Sequence, residues 1–287
     1  MSYEECFYES LDGLTLHYRR YAKRGPATAG PAVLCLPGLN RNCRDFEELA
    51  PRLAARHVVL APDLRGRGRS ERDPQWSRYQ PATYLVDLWT LLAREGLDRI
   101  AVIGTSLGGL LAMMMAATRP AAVCGIVLND IGPELDPAGV ARIAQYTGRL
   151  PVVADWDDAV AQSRMIYGVG LPHLTDEQWL GFTRRAYRED ASGRPALEAD
   201  PMIGEAVRSA PGAAAPDLWP LWAALAPTPV LAIRGSISDI LMRSTLERMA
   251  AEKPDLVRLE IENRGHAPLL DETDAVAAIE EFLVGLD

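Results

Sequence analysis

Ile103-Gly104-Thr105-Ser106-Leu107-Gly108-Gly109 joins two segments of opposite character. Before it runs Arg99-Ile100-Ala101-Val102, an apolar segment with strand character. After it comes Leu110-Leu111-Ala112-Met113-Met114-Met115-Ala116-Ala117, built from strong helix formers. A G-x-S-x-G pattern therefore stands where a buried strand turns abruptly into a helix. A serine at such a bend is held in a strained backbone, its hydroxyl raised above the C-terminal edge of the sheet. Gly104 and Gly108 are read as positions where a side chain would strike the neighbouring strand and helix. By itself the pentapeptide serves equally well as a Gly-rich connecting turn, so the flanking chain has to decide.

Toward the N-terminus, Tyr3–Ser10 and Leu14–Tyr21 flank Asp12-Gly13, a hairpin signal. In the second arm Leu14, Leu16 and Tyr18 alternate with Thr15, His17 and Arg19, which puts His17 on the polar, solvated face. Lys23–Gly30 reads as a loop. Ala32-Val33-Leu34-Cys35-Leu36 is a continuous apolar run, typical of a strand covered on both faces, and it ends at Pro37-Gly38-Leu39-Asn40. Phe46, Leu49, Ala50 and Leu53 recur at helical spacing. His57–Ala61 is a second buried strand, followed by Pro62–Ser70, which is expected to be a surface loop. Its Gly66-x-Gly68 lacks the third glycine of a dinucleotide fingerprint, and no helix opens after it.

Pro81 opens a helix with Leu85, Leu88, Trp89 and Leu92 on one face, and Gly96 closes it. The Ser106 turn and its helix come next, stopped at Pro120, and Cys124–Asn129 forms another strand. Strands alternating with helices at this spacing predict an α/β protein with a mostly parallel central sheet flanked by helices. Ligands bind such sheets at the carboxyl ends of the strands, where Ser106 stands.

The rhythm breaks from Gly132 to about Pro227. That region offers helical fragments carrying Trp156, Tyr167, Trp179, Phe182, Tyr187, Trp219 and Trp222. Residues 133–215 are read as a helical cap inserted over the strand ends, with 1–132 and 216–287 forming the core domain. Pro211–Pro216 serves as a linker on the hinge side. The β/α rhythm resumes with Pro229–Arg234, then Gly235-Ser236-Ile237-Ser238-Asp239, a helix near 241–252, the strand Val257–Ile261, and Asn263-Arg264-Gly265-His266 before a closing helix.

Bulk properties narrow the function. Of 287 residues, 48% are hydrophobic and 24% charged, a globular composition. The formal net charge is −9, and basic residues cluster only at Arg65, Arg67 and Arg69, so neither nucleic acid nor an anionic membrane is expected as a partner. Met1–Glu5 has no signal-peptide character. Residues 100–117 fall short of the ~20 apolar residues of a span and read as buried core. Four cysteines without C-x-x-C spacing suggest free thiols, two of them (Cys35, Cys124) in the core, and a cytoplasmic location. There is no H-E-x-x-H and no Cys/His ligand cluster, so no metal or organic cofactor is expected.

A serine nucleophile needs a base, and the base needs an acid. Of four histidines, His17 and His57 belong to early strands and His173 to the insertion. His266 alone follows a late strand at its C-terminal end. For the acid, Asp239 after the 229–234 strand is preferred and Asp130, after the 124–129 strand, is the alternative. Asp63 is assigned to loop structure.

With these residues in order, the chain resembles the α/β-hydrolase superfamily over essentially its whole length, in its serine-nucleophile, esterase- or lactonase-like branch with a cap. The resemblance implies Ser106 as nucleophile, Asp239 and His266 as its partners, and the backbone N–H groups of Leu39 and Leu107 as oxyanion-hole donors. Pro37-Gly38 stands where many members have His-Gly. A serine at 106 argues against the carboxylate-nucleophile epoxide hydrolases and haloalkane dehalogenases. The expected reaction is hydrolysis of a small, apolar carboxylic ester or lactone through an acyl-enzyme. C–C bond hydrolysis, aminopeptidase or acyltransferase chemistry with the same triad, and a non-catalytic ligand receptor, are the alternatives.

Overall fold

The computed structural model describes residues 3–22, 30–209 and 217–286. The linker Pro211–Pro216 and all of the expected loop Lys23–Gly30 except Gly30 lie outside them.

Strands β1 (Glu4–Glu9) and β2 (Thr15–Tyr21) form the hairpin expected around Asp12-Gly13, with Gly13 at φ 86° in the turn. Strand β3 (Ala32–Leu36) is buried along its full length, and a short helix α1 (Leu49–Leu53) leads to β4 (Val59–Pro62). Helix α2 (Pro81–Glu95) begins on proline and ends at Gly96 in the left-handed conformation (φ 66°). Then follow β5 (Ile100–Thr105), α3 (Leu107–Thr118) and β6 (Val123–Asn129).

After β6 come α4 (Pro137–Tyr146), α5 (Trp156–Tyr167), α6 (Asp176–Ala186), a two-stranded hairpin of β7 (Tyr187–Glu189) and β8 (Pro195–Leu197), and α7 (Met202–Arg208). Among the described residues of 133–215, the small hairpin departs from the all-helical segment expected there. Helix α8 (Trp219–Ala223) returns to the core, where Trp222 is buried. The chain closes with β9 (Val230–Gly235), α9 (Arg243–Glu252), β10 (Val257–Ile261) and α10 (Thr273–Val284).

Eight strands make one sheet in the order β1-β2-β4-β3-β5-β6-β9-β10. The pairings from β4 to β10 are parallel, and β2 joins β1 and β4 antiparallel, so the leading hairpin is an edge appended to a parallel sheet. Alternation along the strands divides the interior in two. Leu34, Leu36 and Val102 face a core completed by α2, α3 and α8. Val33, Cys35, Ala101 and Ile103 face the opposite core, completed by α1 and α10. Among the described residues no helix is long and apolar enough to cross a membrane.

Two expectations are corrected. His17 is not solvated but fully buried. Its ring lies between two carboxylates, Nδ1 2.7 Å from Asp63 Oδ2 and Nε2 2.6 Å from Glu5 Oε2, and its main chain is tied to the segment after β4, with Asp63 N–H donating to the His17 carbonyl and His17 N–H to Ser70 Oγ. Nor is Pro62–Ser70 a surface loop. Arg65 and Arg67 are each 1% exposed. Arg65 is surrounded by Asp12, Asp73 and Asp87, while Arg67 donates to the Leu39 and Arg65 carbonyls and the Tyr84 hydroxyl. Buried guanidinium groups are tolerable when paired in this way, and arginine-rich composition alone does not reveal the pairing.

Candidate active site

The strand–turn–helix at 103–109 forms as its sequence requires. A Cβ on Gly104 would lie 2.3 Å from the Gly108 carbonyl group, and one on Gly108 would lie 2.1 Å from the Leu36 oxygen. Helix α3 thus approaches β3 and β5 so closely that only glycine fits. Between the two glycines, Ser106 has φ 53° and ψ −116°, a conformation an L-residue keeps only when its surroundings enforce it. Here the Ser106 N–H donates to the Asn129 carbonyl at the end of β6, and the Ser106 carbonyl accepts from Gly109 and Leu110.

His266, in the turn between β10 and α10, completes the approach. Its Nε2 is 2.8 Å from Ser106 Oγ and its Nδ1 is 2.8 Å from Asp130 Oδ2. The loop bearing His266 is fixed from two sides. Asn129 Nδ2 donates to the Pro268 carbonyl, and Gly265 N–H donates to the Gly170 carbonyl of the insertion.

Sequence order puts Asp239 against His266; the structure puts Asp130 there. Asp239 instead makes a two-point ion pair with Arg142 of α4. Asp130 directly follows β6 and adopts φ 56°, which turns its carboxylate beneath the imidazole. It is fully buried, accepting from Gly235 N–H at 2.8 Å and Ser238 Oγ at 2.5 Å. The loop after β9 therefore contributes a hydrogen bond from Ser238 rather than the carboxylate itself. Asp239, one residue further on, is turned outward.

A cavity of about 90 Å³ opens beside Ser106 and His266. Gly38, Leu39 and Arg41 wall it from the loop after β3, and Tyr146, Tyr167 and Phe182 wall it from the insertion. Burial raises the Tyr146 and Tyr167 hydroxyls above the usual phenol range, so both remain protonated donors. Leu39 thus shares a cavity with Ser106. Leu107 is the first residue of α3, where a backbone N–H has no partner from a preceding helical turn. Arg67, by holding the Leu39 carbonyl at 2.9 Å, fixes the loop from below. Arg41, Arg67, Asn129 and Ser238 each matter through contacts remote in sequence.

The other histidines are elsewhere. His57 pairs with the Pro31 carbonyl, and His173 is exposed. His17, Cys43 and Asp63 approach one another closely enough for a shared cation, but their bonding is already internal. Both His17 nitrogens meet carboxylates, Asp63 and Glu5. Asp63 also accepts the N–H groups of Cys43 and Arg69. Burial, and then the Asp63 charge, push the Cys43 thiol well above its ordinary pKa, which opposes thiolate ligation.

The model of a family described as the alpha/beta hydrolase family matches residues 33–279. The chain belongs to that family. As an alpha/beta hydrolase it is 33% identical to a 3-hydroxybutyrate-oligomer hydrolase of Cupriavidus necator, the match covering 97% of each chain. It also resembles a crystal structure of an alpha/beta hydrolase from Novosphingobium aromaticivorans, with 44% identity, 98% of each chain covered and a TM-score of 0.92. A putative hydrolase from Rickettsia typhi shares 25% identity over 99% of each chain, with a TM-score of 0.86. The family, the fold and hydrolase activity follow from these likenesses.

Proposed function

We propose that this hydrolase cleaves short carboxylic esters, oligomers of a 3-hydroxy acid foremost, by a serine mechanism. The observation that carries the reading is the hydrogen-bonded chain Ser106 Oγ–His266 Nε2 and His266 Nδ1–Asp130 Oδ2. In it Ser106 Oγ attacks the ester carbonyl carbon as His266 takes the hydroxyl proton, and Asp130 stabilises the resulting imidazolium. The Leu39 and Leu107 N–H groups receive the developing oxyanion, each contributing about 3 kcal/mol to lowering the barrier. The tetrahedral adduct expels the alcohol, which leaves with the proton from His266. Water, deprotonated by the same imidazole, then attacks the acyl-enzyme and releases the acid.

The substrate class rests on two supports. The relative from Cupriavidus necator is named for 3-hydroxybutyrate oligomers. The cavity is small and narrowed by Tyr146, Tyr167 and Phe182, which suits a short acyl group better than a long chain. In this reading residues 133–215 act as a cap that sets specificity.

The test is turnover of p-nitrophenyl esters of increasing chain length alongside linear 3-hydroxybutyrate dimer, with fluorophosphonate labelling. Hydrolysis of the dimer and of the shortest esters, with the label on Ser106, is expected. Labelling without turnover of any ester would point instead to a ligand receptor.

A further inference from the structure

Arg41 is 8% exposed and belongs to the wall of the Ser106 cavity. Its guanidinium is only partly used. Nε donates to both Asp45 oxygens at 3.1 and 2.9 Å, and Nη2 donates to Asp45 Oδ1 at 2.5 Å and, at 3.5 Å, to the Phe182 carbonyl. Nη1 is buried and makes no hydrogen bond of ordinary geometry among the described residues, with the Tyr167 hydroxyl near enough to the guanidinium to help keep it charged. The group is held in place, with its carbon 4.2 Å from the centre of the Phe182 ring, so an unused pair of N–H donors is fixed in position rather than free to seek water.

An orphaned buried donor on a cation carries a larger penalty than a neutral one, and an anionic acceptor relieves it most fully. The position is close to the chemistry. A methyl carbon placed on Gly38 would sit 3.7 Å from Arg41 Cγ and 3.8 Å from Ser106 Cβ. The neighbouring cation, Arg185, is already turned toward Glu47 at 3.2 Å and Asp271 at 3.9 Å. Burial by itself would lower the Arg41 pKa, but Asp45 outweighs it, and the group stays charged.

We infer that Arg41 is a specificity-determining residue that receives, on Nη1, a free carboxylate a few bonds from the scissile ester. The preferred substrate is then an ester that ends in an acid close to the bond cleaved, as the terminal unit of a linear hydroxy-acid oligomer does. A neutral ester of the same size lacks the acceptor.

This inference rests on the ester-hydrolase reading, and its test separates the two. The kcat/KM ratio for linear 3-hydroxybutyrate dimer over its methyl ester is measured for wild type, Arg41→Lys and Arg41→Gln. A preference for the free acid of about 10- to 100-fold is expected in wild type, from the usual strength of a charged hydrogen bond. The ratio should collapse toward one in Arg41→Gln, chiefly through KM, and remain intermediate in Arg41→Lys. Both variants lose some activity on both esters, because Asp45 loses its partner, and the ratio cancels that common loss. A wild-type ratio near one, or a parallel fall on both substrates, overturns the inference while leaving the hydrolase reading intact. If wild type hydrolyses neither ester, the ester-hydrolase reading fails, and binding of butyrate against methyl butyrate to wild type decides the role of Arg41. The same comparison decides it if Arg41→Gln does not fold: tighter binding of the anion supports the inference and equal binding overturns it.

Discussion

Asp130 Oδ2 lies 2.8 Å from His266 Nδ1, and its other oxygen takes the Gly235 N–H. One carboxylate therefore ties together the ends of β6 and β9 and the turn after β10. A group so fully enclosed orients the imidazole with little freedom, which is what the proposed triad asks of its acid. Asp239, paired with Arg142 and about two-fifths exposed, has neither the contact nor the enclosure.

Exchange of each aspartate for asparagine should separate the two. Asp130→Asn is expected to lower kcat by about 10⁴-fold, since the amide favours the wrong imidazole tautomer. Asp239→Asn removes a half-exposed ion pair that contributes at most about 1 kcal/mol to stability, and turnover should stay within a few-fold of wild type. Steady-state kinetics on a short p-nitrophenyl ester gives both values, and a large loss confined to the Asp239 variant would reverse the assignment.

Ser106→Ala should abolish turnover, by at least about 10⁴-fold, and with it fluorophosphonate labelling. The strained backbone at φ 53° is set by Gly104, Gly108 and the Asn129 carbonyl rather than by the hydroxyl. Circular dichroism and the melting temperature should therefore match wild type closely. Residual activity near the wild-type level would remove Ser106 from the mechanism.

Gly108→Ala tests the closeness of α3 to β3. The added carbon would stand 2.1 Å from the Leu36 carbonyl oxygen, and backbone on both sides leaves nothing flexible to yield. A destabilisation of roughly 2–4 kcal/mol, or failure to fold, is expected in urea titration. Unchanged stability would mean that the helix can withdraw from the sheet.

Acid stability should carry the signature of Asp12. Its hydrogen bonds to Arg65 hold its carboxyl down to about 2, below the ordinary value of 3.8. A carboxyl depressed in the folded state binds its proton more readily when unfolded, so it stabilises the fold above pH ~4 and loses that contribution as pH falls toward 2. In melting temperatures recorded from pH 5 to pH 2, wild type should fall more steeply than Asp12→Asn. Parallel curves would show that Asp12 is not linked to folding.

Much of this protein was legible in short range. The apolar runs at 32–36, 57–61, 100–103 and 124–129, each followed by turn residues, are enough to read a parallel sheet. The glycines around Ser106 are enough to read a strained strand–helix turn, because both depend on neighbours along the chain. His266 could be found because a single histidine follows a late strand. What local pattern could not rank was two aspartates at two adjacent strand ends, since each stands at the edge where His266 arrives. Strand order and the left-handed turn at Asp130 chose between them, and Arg142, from an inserted helix, drew Asp239 away. The same holds for the buried arginines: Arg41, Arg65 and Arg67 look like surface charge in sequence. Their carboxylate, carbonyl and ring partners come from segments that only folding brings near, and it is those partners that make burial of the charge possible.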